Sequence, residues 1–171
     1  MAILVPPPLA QEIDGLRRAC GDGSLDRVPP HLTLVPPVNV PVDRFGAALA
    51  LLDDAAGAVE PFALSLGPPD TFLPVNPVLY LRVEGNEAAL GTLRARVFRP
   101  PLERSMTWPY VPHVTLADEA EPDRIRAALL ALADFRAELA VERVDLLEEQ
   151  RDSDGRRRWR SVADAGLGAR R

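Results

Sequence analysis

The sequence predicts an α+β fold, bilobal and pseudo-two-fold symmetric, with two antiparallel sheets lining a central cleft and helices on the outside. Three observations lead there. The only two histidines open the same tetrapeptide, His31-Leu32-Thr33-Leu34 and His113-Val114-Thr115-Leu116, each preceded by proline (Pro30, Pro112). The copies lie 82 positions apart in a chain of 171 residues, close to half its length. One order of periodicities (strand, helix, motif strand, helix, strands) is legible twice.

In the first half, Ala2–Val5 reads as a strand stopped by Pro6-Pro7-Pro8. Leu9, Ile13, Leu16 and Cys20 then fall at helical spacing, with Gly21 as the stop. A polar, turn-rich stretch leads to the motif strand Leu32–Val35, closed by Pro36-Pro37. Phe45, Leu49, Leu52 and Ala56 mark the second helix, and Phe62–Leu66 a strand. Gly67–Pro77 reads as a turn-rich link with room for another short strand. In the second half, Val78–Val83 is a strand, and Asn86 caps a helix carrying Leu90, Leu93 and Val97. An irregular loop containing Trp108-Pro109-Tyr110 precedes the strand His113–Leu116. Pro122 opens a helix with Ile125, Leu129 and Leu132 on its buried stripe. Phe135–Val141, Val144–Leu147 and Arg156–Ala163 complete the strands, the last two joined by an Asp152-Ser153-Asp154-Gly155 turn. Val78–Val83 with its helix matches Ala2–Val5 with its own, so the halves read as two lobes of one domain spanning residues 1–171.

Hydrophobic residues make up 47% and charged residues 26%, the balance of a globular chain with a real core. Net charge is −5, which argues against binding long nucleic acid through the whole surface, because that needs a basic face. A small anion or an RNA end remains compatible. Cys20 is the only cysteine, so no internal disulfide or cysteine metal cluster can form. No signal segment or membrane-length apolar run is present, and the expectation is a cytoplasmic monomer with no obligate protein partner.

On a strand, alternate side chains face opposite ways. His31 and Thr33 therefore share one face, and His113 and Thr115 share its counterpart. The intervening aliphatics form the backs. If the polar faces meet across a cleft, two imidazoles and two hydroxyls converge. A free imidazole titrates near pH 6.5, so one can take a proton from an attacking oxygen while the other gives one to a leaving oxygen. Threonine hydroxyls can hold non-bridging phosphate oxygens. Five residues are threonine; both histidines having one at +2 by accident is on the order of one chance in a thousand.

Pro-His-Leu-Thr-Leu-Val and Pro-His-Val-Thr-Leu-Ala resemble the paired motifs of the two-histidine (2H) phosphoesterases, in their LigT-like RNA 2′,5′-ligase and cyclic phosphodiesterase branch. The element order from Ala2 to about Gly168 agrees with that fold. The resemblance implies metal-free hydrolysis of 2′,3′-cyclic phosphates, at RNA ends or in small nucleotides, to 2′-phosphates. It implies His31 as proton donor, His113 as proton acceptor, Thr33 and Thr115 as phosphate contacts, and no cofactor or metal. The near-identical motifs themselves leave the two histidine roles interchangeable. The rival readings are 2′,5′ RNA ligation or another small cyclic phosphate, and, from a different class, an RNA-end binding module with little turnover.

Four further residues are candidate substrate contacts. Tyr80 and Arg82 share a face of their strand, with Arg82 suited to phosphate. Trp108 and Tyr110 could stack a base or merely anchor their loop. Arg27 and Arg104, each in the segment leading to a motif, are looser candidates. Arg156-Arg157-Arg158-Trp159-Arg160 looks like a nucleic-acid patch but reads better as a solvated hairpin paired with the carboxylates of Leu147–Asp154. Metal-ligand spacing, a Cys–His nucleophile and a Gly-rich phosphate loop are disfavoured.

Overall fold

The computed structural model describes residues 1–168. Its strands are β1 (Ala2–Leu4), β2 (His31–Thr33), β3 (Phe62–Thr71), β4 (Leu79–Gly85), β5 (His113–Ala117), β6 (Ala137–Val141), β7 (Arg143–Arg151) and β8 (Arg157–Gly166). The helices are α1 (Leu9–Cys20), α2 (Phe45–Gly57), α3 (Glu87–Val97) and α4 (Pro122–Ala131). Gly21 ends α1 in the left-handed conformation, at φ 78°, and the Asn86 side chain accepts from the Ala89 amide at the start of α3.

The strands run in the order β6-β3-β4-β5-β2-β1-β7-β8, with antiparallel pairing throughout. The two expected sheets are thus halves of one ladder, joined where Leu32 of β2 pairs with Val114 of β5. The local pseudo-two-fold passes through that pair. The registers make Ala2 equivalent to Tyr80, Leu4 to Arg82, and Asp145 to Asp70.

The lobes are not the two halves of the chain, and here the sequence reading is corrected. β3 crosses over to pair with β4 and β6, while β7 and β8 return to β1. The helices also exchange: α1 packs behind β5 and against α4, not under its own lobe's strands, and α2 packs on β7, β8 and α3. Leu32, Leu34, Val114 and Leu116 fill the back of the two motif strands with no exposed surface. Burying each contributes about 1.5–3 kcal/mol.

β3 also runs further than its Gly67-Pro68-Pro69 sequence suggests. Its pairing with β6 ends at Leu66, and its register with β4 shifts between Leu66 and Pro69. The prolines therefore sit at a bulge and on an unpaired edge, where a missing N–H costs nothing. Gly67 there has φ 98°, and an added Cβ would strike the Phe135 carbonyl oxygen.

Candidate active site

Both histidines are fixed in the same way. His31 Nδ1 lies 2.8 Å from the Pro29 carbonyl oxygen, and His113 Nδ1 lies 2.7 Å from that of Val111. A carbonyl can only accept, so Nδ1–H donates in each ring and Nε2 keeps its lone pair free. The Leu32–Val114 register, continued one residue either way, sets His31 opposite Thr115 and Thr33 opposite His113. The polar faces therefore meet in one diamond of two imidazoles and two hydroxyls. His31 and Thr115 line one small cavity, and Thr33 and His113 line the larger groove beside it.

Desolvation pulls both imidazoles below the ordinary histidine range. The carbonyl contacts oppose this, and the positive charge of Arg17 and the second imidazole lower His31 further. Both rings therefore favour the neutral form more than a free imidazole does. A bound phosphate anion would favour a proton on either.

The surroundings differ although the motifs do not. On the second lobe, Tyr80 is buried on the cleft face, its ring 5.3 Å from that of His113 and 4.3 Å from that of Phe72. Phe72 meets His113 edge-on at 5.1 Å. Ala2 occupies the equivalent of Tyr80 on the first lobe, and the charged neighbour of His31 is Arg17. Arg17 is buried on α1. Its Nε donates to Asp22 at 2.7 Å, and its terminal nitrogens reach Asp14 and the carbonyls of Val28 and Ser24. It thereby holds the segment that presents the Pro29 carbonyl to His31.

Arg82 is the register partner of His113, but it is committed to Asp70 through an ion pair at 2.7 Å. Tyr110 shows the anchoring geometry: its hydroxyl donates to the Thr33 carbonyl at 2.9 Å, and Arg94 lies 4.0 Å over its ring. Burial pushes its hydroxyl up to about 12. Trp108 stays 64% exposed, on the wall of a groove of about 640 Å³ that also includes Phe72, Val75 and Met106. Arg104 lines the same groove and donates to the Pro37 carbonyl at 2.9 Å.

A third cavity, of about 260 Å³, opens on the His31 side, where Arg27 and Trp159 stand in its wall. The groove and this cavity share Thr33. The arginine-rich hairpin pairs internally as expected, with Arg157 on Glu149 and both Arg158 and Arg160 on Asp152. Its tryptophan nevertheless reaches the cleft. Arg17, Phe72 and Trp159 are the residues that sequence reasoning missed. Arg17 had a signal in Asp14 one turn earlier and Asp22 just past Gly21, Trp159 stands in the arginine-rich run that reads as a solvated hairpin, and Phe72 had no signal.

Among the described residues, no three His, Cys, Asp or Glu side chains gather in a metal-holding cluster. No helix in this range is long and apolar enough to cross a membrane.

Comparison with known proteins agrees with this fold. The fold matches that of E. coli LigT in complex with 3′-AMP, with a TM-score of 0.70 at 21% identity over 98% of this chain and 96% of that one. It also matches the Thermus thermophilus protein TT0787, with a TM-score of 0.68 at 19% identity over 99% and 97%. A Bacillus pumilus protein provisionally named a phosphoesterase is 32% identical over 147 residues, covering 85% of each chain. A Bacillus licheniformis protein named in the same way is 30% identical over 85% of this chain and 86% of its own. The model of the 2′-5′ RNA ligase superfamily matches residues 5–153. With two His-x-Thr strands meeting at the centre of that fold, this chain belongs to the 2′-5′ RNA ligase superfamily of two-histidine phosphoesterases.

Proposed function

We propose that the protein hydrolyses ribonucleoside 2′,3′-cyclic phosphates, at RNA ends or as small nucleotides, to 2′-phosphates by His/His acid–base catalysis. The observation that carries this reading is the diamond of His31, Thr33, His113 and Thr115, with both Nδ1 atoms tied to backbone and both Nε2 atoms free. Water attacks phosphorus from one side as His113 takes its proton. The P–O3′ bond breaks on the other side as His31 gives a proton to O3′. The product is a 2′-phosphate with a free 3′-hydroxyl, and each imidazole has exchanged its state. Thr33 and Thr115 hold the non-bridging oxygens, which gain charge as the fifth bond forms.

Phosphate binding supplies the first proton asymmetry, because two neutral imidazoles cannot both be acid and base. In-line displacement needs the two groups on opposite sides of phosphorus, and the diagonal placement of His31 and His113 on the adjacent, paired strands β2 and β5 supports that reading. E. coli LigT has been crystallised with 3′-AMP, NADP+ and ATP, ligands that share a phosphorylated ribose. The reverse chemistry, with a 5′-hydroxyl in place of water, would join RNA ends by a 2′,5′ linkage.

The test is hydrolysis of 2′,3′-cyclic nucleotides in excess EDTA by the wild type, His31→Ala and His113→Ala. Each variant should lose about 10²–10⁴-fold in rate. Activity lost in EDTA, or retained without either imidazole, would sink the mechanism. Tight RNA-end binding without turnover would favour a binding module instead.

A further inference from the structure

The two motifs are near-identical, but the backbone leading into each is held differently. Pro29 and Pro30 carry no N–H, so the approach to His31 is fixed through its carbonyls. Three donors take them. Arg17 Nη1 donates to Val28 at 3.0 Å, His31 Nδ1 to Pro29 at 2.8 Å, and the Val5 amide to Pro30 at 3.0 Å. The Arg17 fork also reaches the Ser24 carbonyl at 3.1 Å and, through Nε, Asp22 at 2.7 Å. Asp22 accepts in turn from the Ser24 amide at 3.0 Å. One buried guanidinium therefore pins both ends of the turn 22–28, next to the carbonyl on which His31 rests.

His113 is supported by other means. The counterpart of Val28 is Tyr110, which is held through its own hydroxyl on the Thr33 carbonyl. The rings of Phe72 and Tyr80 flank the imidazole, and burial and the Val111 contact are what act on its proton. Arg17 shares the wall of the His31–Thr115 cavity with Asp22 and Asp118. A guanidinium does not lose its charge at any working pH. After burial, Arg17 is followed by His113 and the Met1 amine in lowering His31, against the Pro29 contact.

We propose that Arg17 is the positioning residue of the His31 half of the site: its fork fixes the Pro29 carbonyl that aims Nε2, and so makes two near-identical motifs unequal. Only the kinetic consequence rests on the acid–base reading above; the placement of the ring does not.

Two variants test this. Arg17→Lys keeps the cation, but a single ammonium cannot hold Asp22, Val28 and Ser24 in one plane. It should lower kcat for 2′,3′-cyclic nucleotides about 10–10²-fold with KM within about twofold, because a misaimed acid is felt in the chemical step. Arg17→Met with Asp22→Asn removes the cation together with the carboxylate it would strand. With only two histidines in the chain, an NMR titration of the resting protein reads each imidazole, assigned through His113→Gln. In the double variant the His31 midpoint should move up, and that of His113 far less. Arg17→Lys should move His31 less than the double variant does, while changing its Nδ1–H signal. It also carries the test if the double variant does not fold. Arg17→Lys with kcat within twofold of the wild type, or both imidazoles shifting alike as a general loosening would make them, would overturn the proposal. A wild type without cyclic-nucleotide hydrolysis, in which His31 alone responds to Arg17, would instead refute the proposed reaction and leave the positioning role standing.

Discussion

At the scale of single residues, the two histidines are alike in sequence and in their Nδ1 contacts, and differ in what surrounds them. Burial lowers both below the free imidazole range, with Arg17 acting further on His31 and aromatic rings closing around His113. This has a definite consequence for pH. In the free enzyme kcat/KM requires one proton shared between the pair, so it rises through the first macroscopic pKa and falls through the second. Both values are depressed, and the substrate diester does not titrate in this range. The bell in kcat/KM should therefore peak on the acid side of pH 6.5. The bound phosphate anion raises both imidazoles, so the kcat profile should lie at higher pH than the kcat/KM profile. Steady-state rates from pH 4.5 to 9 would check this. A maximum above pH 7 in kcat/KM would contradict it.

At the scale of elements, the motif strands and all four helices were legible because each rests on local signals. Those signals were alternation around His31 and His113, a 3.6-residue stripe from Leu9 to Cys20, a cap at Asn86 and a first-turn Pro122. The crossing of β3 to the far lobe was not legible, since it depends on pairing with β6 some seventy residues on, which no local pattern encodes. The cleft contact of Trp159 depends on another long-range pairing, β7 on β1, and that of Phe72 on the run of β3 beyond its prolines, and neither has a local pattern either. Arg17 illustrates a different limit. A charged residue on α1 reads as solvent-facing until Asp22 and the carbonyls of Ser24 and Val28 enclose it. Its removal should be severe, because breaking one side of a buried ion pair leaves the other charge uncompensated. Arg17→Met should cost about 3–5 kcal/mol. Arg17→Met with Asp22→Asn should recover part of that, since the stranded carboxylate is then gone. Urea unfolding of the wild type, the two single variants and the double variant measures the coupling. Additive effects would mean that the pair is not an energetic unit.

At the scale of the whole molecule, the ladder between the two lobes is narrow, with Leu32 and Val114 as its paired residues, and this alone would let the lobes open separately. The exchanged helices argue otherwise. α1 leaves β1 of one lobe and packs behind β5 of the other, and α2 ties β7 and β8 to α3. Arg94 on α3 donates to the carbonyl of Leu34, the last residue of the first motif, and Tyr110 before β5 donates to the carbonyl of Thr33 on β2. Neither lobe can lose its packing without stripping apolar surface from the other, so the two should unfold as one cooperative unit. Ile13 tests this directly. It is fully buried on α1, and Ile13→Ala should cost about 2–5 kcal/mol. That loss should appear equally in the native-state hydrogen exchange of β1 amides in the first lobe and β4 amides in the second. Protection lowered in β4 alone would mean that the lobes open independently. In that case the opposed imidazoles would be held in line by the substrate, not by the fold.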